Sequence, residues 1–184
     1  MYKRQHFISI IKDLTSRVRD EQALREAASL DKLTGLQNRR AGEGLLERAY
    51  IGTRESGAPL SVILADIDHF KSINDTWGHP VGDRVLENVG GLLRARVRAT
   101  DGVVRWGGEE FLIILPHCDL RAAAIQAERI RERIERTPHP EAGQVTLSLG
   151  VAQLGPEETL AGLIERADKA LYQAKREGRN RVCA

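Results

Sequence analysis

Between Val103 and Leu115 the chain runs apolar, polar, apolar, and the polar break is Arg105-Trp106-Gly107-Gly108-Glu109-Glu110. Two short strand-like runs joined across a glycine pair read as a β-hairpin over 102–115, because glycine reaches positive-φ turn geometry at little cost. The hairpin fixes two adjacent antiparallel strands and puts two consecutive carboxylates at one end of them, which solubility does not require. A second acidic site closes another apolar run, Ser61-Val62-Ile63-Leu64-Ala65-Asp66-Ile67-Asp68. If the tip and that strand end meet, three or four carboxylates converge. At an effective dielectric near 20, like charges about 5 Å apart cost roughly 3 kcal/mol per pair. Such a cluster needs a cation, and hard oxygen ligands with open positions favour Mg²⁺ carrying a phosphorylated substrate.

The remaining elements follow in a legible order. Residues 1–30 are polar and helix-prone, with Phe7, Ile11, Leu14 and Val18 on a heptad seam, and read as a helical stalk able to form a short coiled coil. The globular pattern begins at Asp31 and fills 31–184. Asp31 to Leu36 is a turn, and Asn38 can cap a helix running to about Glu55. A strand at 60–67 leads into a loop and short helical turn at 69–74, then a helix at about 82–98. After the hairpin come a helix at 119–136, an alternating strand at 144–151, a helix at 158–176 ending near Gly178, and a stub strand at 180–183. Without its extras the order is β-α-β-β-α-β. That is an α+β fold of ferredoxin-like or palm type, with an antiparallel sheet and helices expected on one face.

Composition narrows the function. A net charge of +2 is too mild for bulk nucleic acid binding, and at 4% aromatic residues there is little for a base-stacking platform. Cys118 and Cys183 follow no metal spacing and read as free thiols of a reducing compartment. No apolar run approaches the about 18 residues needed to span a bilayer. The chain therefore reads as soluble and cytoplasmic, whether alone or as part of a larger, membrane-tethered protein.

Three further groups carry chemistry. In the stretch from Phe70 to Asp83, Asn74 and Asp83 suit guanine, whose N1–H and N2–H donors lie beside an O6 acceptor. An adenine in their place would leave buried groups unpaired. Ordinary turn and N-cap roles are the competing explanation. Lys175 and Arg179, four apart near a helix end, can share a face and reach phosphate, as can Lys71; a solvated basic helix end is the alternative. Arg98 and Asp101 precede the hairpin, and an Arg and an Asp together can read both edges of guanine, although one Arg-x-x-Asp is weak by itself.

Taken together these residues closely resemble the GGDEF-domain diguanylate cyclases. The resemblance rests on Asp31-x-Leu33-Thr34-Gly35-Leu36-x-Asn38-Arg39-Arg40, on Asp66-Ile67-Asp68-x-Phe70-Lys71 and on Asn74-Asp75-x-x-Gly78-His79-x-x-Gly82-Asp83. It continues through the Gly-Gly-Glu-Glu-Phe signature, Ser148-Leu149-Gly150-Val151-Ala152, and Ala167-Asp168 to Asn180. It implies condensation of two GTP into cyclic di-GMP with release of two pyrophosphates. Asp66, the Ile67 carbonyl and Glu109 would hold Mg²⁺, with Mn²⁺ as the alternative. Asn74 and Asp83 would bind guanine, and Lys71, Lys175 and Arg179 the phosphates. Asp66, Glu109, Glu110 and Lys71 are the catalytic set, with Glu110 in a supporting role. Arg98 and Asp101, joined by Arg129, fall where family members carry a product-inhibition site, which implies feedback by cyclic di-GMP. Trp106 stands where Tyr or Phe is usual, and Glu109 where Asp is usual; both keep the chemistry of the position.

A symmetric product with half held by each site implies a two-fold homodimer, while the mild charge and the lack of a long apolar run argue against a nucleic acid polymer as partner and against direct membrane insertion of this chain. The rival reading is a catalytically silent domain that binds GTP or cyclic di-GMP, which degenerate hairpin acids would signal. Another nucleotidyl cyclase of palm-like fold is the third, and the choice of GTP over ATP separates it.

Overall fold

β2 (Leu60–Ile67) is buried at all eight of its residues, and that fact organises the molecule. A computed structural model of the chain describes residues 29–184, so all but the last two residues of the expected stalk lie outside the described residues. The other strands are β1 (Gln37–Asn38), β3 (Gly102–Arg105), β4 (Glu110–Pro116), β5 (Leu147–Gln153) and β6 (Val182–Cys183). They form one six-stranded sheet in the order β1-β3-β4-β2-β5-β6. Its four central strands are antiparallel, while the edge strands β1 and β6 pair in parallel with β3 and β5.

The helices are α1 (Arg39–Ser56), α2 (Phe70–Trp77), α3 (His79–Arg94), α4 (Leu120–Glu135) and α5 (Leu160–Arg176). They cover both faces of the sheet, not one. Ile63, Ala65 and Ile67 pack with Val85, Val89 and Leu93 of α3 and Ala123, Ala127, Ile130 and Ile134 of α4. Leu60, Val62 and Leu64 pack with Leu46 of α1 and Leu163, Ala167 and Leu171 of α5. The reason is in β2 itself: a near-continuous apolar run, rather than an alternating one, is what a strand covered on both sides requires.

Element ends follow local chemistry. The Asn38 side chain accepts from the Ala41 N–H at 3.0 Å to start α1, as expected. α5 starts at Thr159, whose side chain accepts from the Gly162 N–H. It ends as Gly178 turns to φ 117° and the Arg179 N–H returns to the Ala174 carbonyl at 3.0 Å.

Two boundaries differ from expectation. Residues 70–77 form a full helix, and Gly78 at φ 80° separates it from α3, which therefore begins at His79 with Pro80 in its first turn. β5 begins at Leu147 rather than 144. Ile67 opposite Leu147 is the last pair that β2 offers; beyond it only the Asp68 N–H reaches the Thr146 carbonyl, at 2.9 Å, and Gln144 and Val145 keep the alternation without a strand partner. α5 lies so close to β5 that a Cβ on Gly150 would stand 2.1 Å from the Ala167 carbonyl and 2.2 Å from the Leu171 nitrogen. This contact sets the height of α5, and so of Lys175 one turn further on.

Candidate active site

The antiparallel register of β2 and β4 sets Asp66 directly opposite Glu110, and the Ile67 N–H donates to the Glu109 carbonyl at 3.3 Å. Strand end and hairpin tip therefore meet. Asp66 is buried; burial pushes its carboxyl above the ordinary range, and the charges of Glu109 and Glu110 push it further. The Lys175 ammonium, 2.8 Å from Asp66 Oδ2, works against both.

The tip closes differently from expectation. Gly107 and Gly108 are not in the left-handed region. The loop is instead shut by the Glu110 carbonyl, which accepts from the N–H groups of Trp106 at 2.8 Å and Gly107 at 3.2 Å. Gly107 matters for space: Glu110 Oε2 lies 2.6 Å from where a Cβ would sit, so the carboxylate folds back over the loop.

Arg105 is a residue that the motif reading passed over. Its Nε and Nη2 donate to the Gly108 carbonyl at 3.1 and 2.8 Å, and its Nη1 reaches both Asp31 oxygens at 3.1 and 3.2 Å. Asp31 also accepts from the Thr34 N–H and hydroxyl at 2.9 and 2.8 Å. Burial alone would raise the Asp31 carboxyl, but these donors outweigh it and hold the group below its usual value. One guanidinium thus ties the turn at 31–36 to the acidic tip. An arginine just before the glycines is the only signal of this in the sequence. Beside it, the Arg39 guanidinium lies 4.7 Å over the Trp106 ring.

Asp68 is committed elsewhere. Buried, it accepts from Thr146 Oγ1 at 2.7 Å, Ser148 Oγ at 2.6 Å and the Asn180 N–H at 3.0 Å. It anchors the loop and is not aimed at a cation. His69 then turns at φ 57° into α2, whose N-terminus has no side-chain cap. Lys71 is exposed in that first turn. Asn74 lies one turn on, with its Oδ1 only 2.0 Å from where a Cβ on Gly82 would be, so it packs against the residue beside Asp83. Among the described residues, neither the Asn74 amide nor the Asp83 carboxylate is taken up by a hydrogen bond or ion pair. Arg179 is exposed and, unexpectedly for its residue type, has φ 65°.

The remaining expected group is less tightly assembled. Arg98 and Asp101 share a turn, with the Arg98 N–H donating to Asp101 Oδ2 at 2.8 Å. Arg129 is exposed on α4, three residues beyond Gln126, whose Nε2 donates to the Arg96 carbonyl at 3.3 Å. Among the described residues no hydrogen bond or ion pair joins Arg129 to Arg98 or Asp101.

A cavity of about 320 Å³ opens beside the carboxylates, lined by Glu110, Asp168, Lys169, Leu171, Tyr172 and Lys175. Among the described residues no three His, Cys, Asp or Glu side chains make a ready metal cage. Asp66, Glu109 and a main-chain carbonyl are the sparser donor set that suits Mg²⁺ when substrate phosphates complete its shell. The donors fit such an ion. Burial first, and then the neighbouring charges of Glu109 and Glu110, raise the Asp66 carboxyl; a bound cation would oppose this, as the Lys175 ammonium does in part in this structure.

Residues 28–181 match the family described as "Diguanylate cyclase, GGDEF domain". The chain is 42% identical over 166 residues to the diguanylate cyclase DosC of Escherichia coli K12, covering 88% of this chain and 36% of that protein. It thus spans about a third of the length of that relative. The coiled coil and GGDEF domain of DgcB from Caulobacter crescentus, solved in complex with c-di-GMP, superposes with TM-score 0.87 at 35% identity, covering 98% of each chain. The active GGEEF domain of a diguanylate cyclase from Vibrio cholerae gives TM-score 0.76 at 38% identity, covering 79% of this chain and 95% of that one.

Lys175→Met removes the one influence that lowers the Asp66 carboxyl, which then rises further. A raised carboxyl binds its proton more tightly when folded, so stability falls as pH rises through its titration. In acid, where Asp66 is protonated in both proteins, variant and wild type should be nearly equal. Towards neutral pH the variant should fall behind by about 2 kcal/mol, between the values for exposed and buried pairs. Denaturant unfolding at a series of pH values measures this, and a gap independent of pH contradicts it.

Proposed function

This chain belongs to the GGDEF family of diguanylate cyclases, and from that premise we propose that it condenses two GTP into cyclic di-GMP, releasing two pyrophosphates. The observation that carries the reading is the β2–β4 register, which sets Asp66 opposite Glu110 beside Lys175. Asp66, Glu109 and the Ile67 carbonyl would hold Mg²⁺ or Mn²⁺, and the ion when bound neutralises charge on the triphosphate. Asn74, packed against Gly82 at the α2–α3 corner, and Asp83, next to Gly82 in sequence, both with their polar groups unspent, read the guanine edge and select GTP over ATP. Lys71 and Arg179 bind phosphate oxygens. With an ion held by Asp66, Lys175 would be free to bind phosphate.

In each half-reaction a ribose 3′ oxygen bonds to the α-phosphorus of the GTP on the facing domain. The bond from that phosphorus to the bridging oxygen breaks, pyrophosphate leaves, and the hydroxyl proton passes to a carboxylate, for which Glu110 is the group at hand. One domain holds only half of the symmetric product, so the active species is a two-fold homodimer, and the frequency of productive facing limits the rate. A stalk over 1–30 would raise the effective concentration of one domain near the other. The substrate places the reaction in the cytoplasm.

Arg98, Asp101 and Arg129 form the product-inhibition site in this reading. Arg98 and Asp101 already share a turn, and α4 carries Arg129 on a helix tied to the segment before that turn. A silent binding domain is the second reading, and the intact acids at 109 and 110 weigh against it.

Purified chain incubated with GTP and Mg²⁺ should yield cyclic di-GMP by chromatography and mass. Glu109→Gln should cut turnover about 10²-fold or more while leaving the fold intact; undiminished turnover overturns the proposal. Separately, Arg98→Ala should raise the cyclic di-GMP needed to halve the rate about tenfold, as loss of a bidentate guanine contact would. An unchanged value removes the inhibitory site.

A further inference from the structure

After α5 the chain makes a turn that the sequence gives no reason to expect. Gly178 is followed by two consecutive residues with side chains in the left-handed region, Arg179 at φ 65° and Asn180 at φ 47°. Asn tolerates this conformation, but for Arg it costs about 1 kcal/mol or more with no local compensation. The surroundings must hold the turn, and the hydrogen bonds show how. The Asn180 N–H donates to Asp68 Oδ2 at 3.0 Å, its Oδ1 accepts from Arg131 Nη1 at 2.8 Å, and its Nδ2 donates to Glu135 Oε1 at 2.7 Å. Both ends of the amide are used.

Arg131 is itself fixed. Its Nε and Nη2 donate to Glu128 Oε1 at 2.9 and 2.6 Å, and its Nη1 also donates to Glu135 Oε2 at 2.9 Å. Its side chain is only 14% exposed. The hydrogen bond to Glu128 leads the influences that raise the Arg131 guanidinium, and the one donated by Asn180, followed by that from Arg131, holds Glu135 below its usual value. The group stays charged across the working pH range. α4, which contributes no member of the carboxylate cluster, thereby reaches across to the turn that carries Arg179. Asp68 grips the same turn from the end of β2.

We propose that Arg131, with Glu135 and Asn180, is a positioning unit for the phosphate-binding turn. It holds Arg179 in the left-handed conformation from which its guanidinium meets the triphosphate, and Arg131 itself does not touch substrate. The inference rests on the reading of Arg179 as a phosphate ligand given above. An arginine that only stapled α4 to the chain end would affect stability without discriminating between parts of the nucleotide. One that positions Arg179 affects the triphosphate alone, and only while Arg179 is present.

The test is equilibrium binding of a non-reactive GTP analogue with Mg²⁺, and of guanosine, to wild type, Arg131→Met, Arg179→Ala and the double variant. Arg131→Met should weaken the analogue about tenfold and leave guanosine within about twofold. In the Arg179→Ala background it should add nothing. Equal losses for analogue and guanosine, wild-type binding of the analogue, or multiplied losses in the double variant each overturn the proposal. If Arg179→Ala alone binds the analogue as wild type does, the phosphate reading of Arg179 fails and the positioning role fails with it. Should Arg131→Met not fold, Asn180→Gly carries the same test, since it keeps the N–H to Asp68 and relieves the φ strain while deleting both amide ties. The same selective loss is expected, and wild-type affinity for the analogue overturns the proposal.

Discussion

Seven successive residue pairs lock β2 against β4, from Leu60 opposite Pro116 to Asp66 opposite Glu110. Apolar side chains are buried on both faces of this pairing, so a slip of one residue would exchange the side chains packed into the two cores and spoil the fit of each. The register is therefore set by the hydrophobic core, and the carboxylates at its end have no freedom to move apart. Their mutual repulsion, worth a few kcal/mol at an intermediate dielectric, is offset by Lys175. In the proposed reading, the core packing that fixes this register also sets the carboxylates where a cation would be held.

Around that fixed point the loops are held by separate clamps. Arg105 binds the acidic tip to the turn at Asp31, Asp68 binds the end of β2 to Thr146, Ser148 and Asn180, and Arg131 binds the turn after α5 to α4. The absence of a Cβ at Gly150 lets α5 sit directly on β5. Each clamp joins elements distant in sequence, which is how a scaffold turns mobile loops into a site of defined geometry.

Much of this was legible from the residues. The strand at 60–67, the hairpin and the Asn38 cap follow from apolar runs and turn chemistry, whereas the meeting of Asp66 with the acidic tip, conditional in the sequence, comes from the β2–β4 register. What was not legible depended on three-dimensional pairing. Covering of both sheet faces was missed because the count of elements does not say on which side a helix returns, although the unbroken apolar run of β2 carries that information. The glycines at 107 and 108 were expected to supply positive φ, whereas Gly107 supplies room for Glu110. Arg105 and Arg131 have no local signature, and the motif that includes Asn180 does not say what it holds, because the partners lie 74 residues away for Arg105 to Asp31 and 49 for Arg131 to Asn180.

The claim beneath all of this is that the β2–β4 register creates one cation site shared between strand end and hairpin tip. Mn²⁺ is paramagnetic and can stand in for Mg²⁺, so the amount of bound ion can be read by electron paramagnetic resonance with a non-reactive GTP analogue present. Wild type should bind the ion with the analogue, and Asp66→Asn and Glu109→Gln should each abolish most of that binding while the fold persists. Retention of full Mn²⁺ binding by both variants would contradict the account.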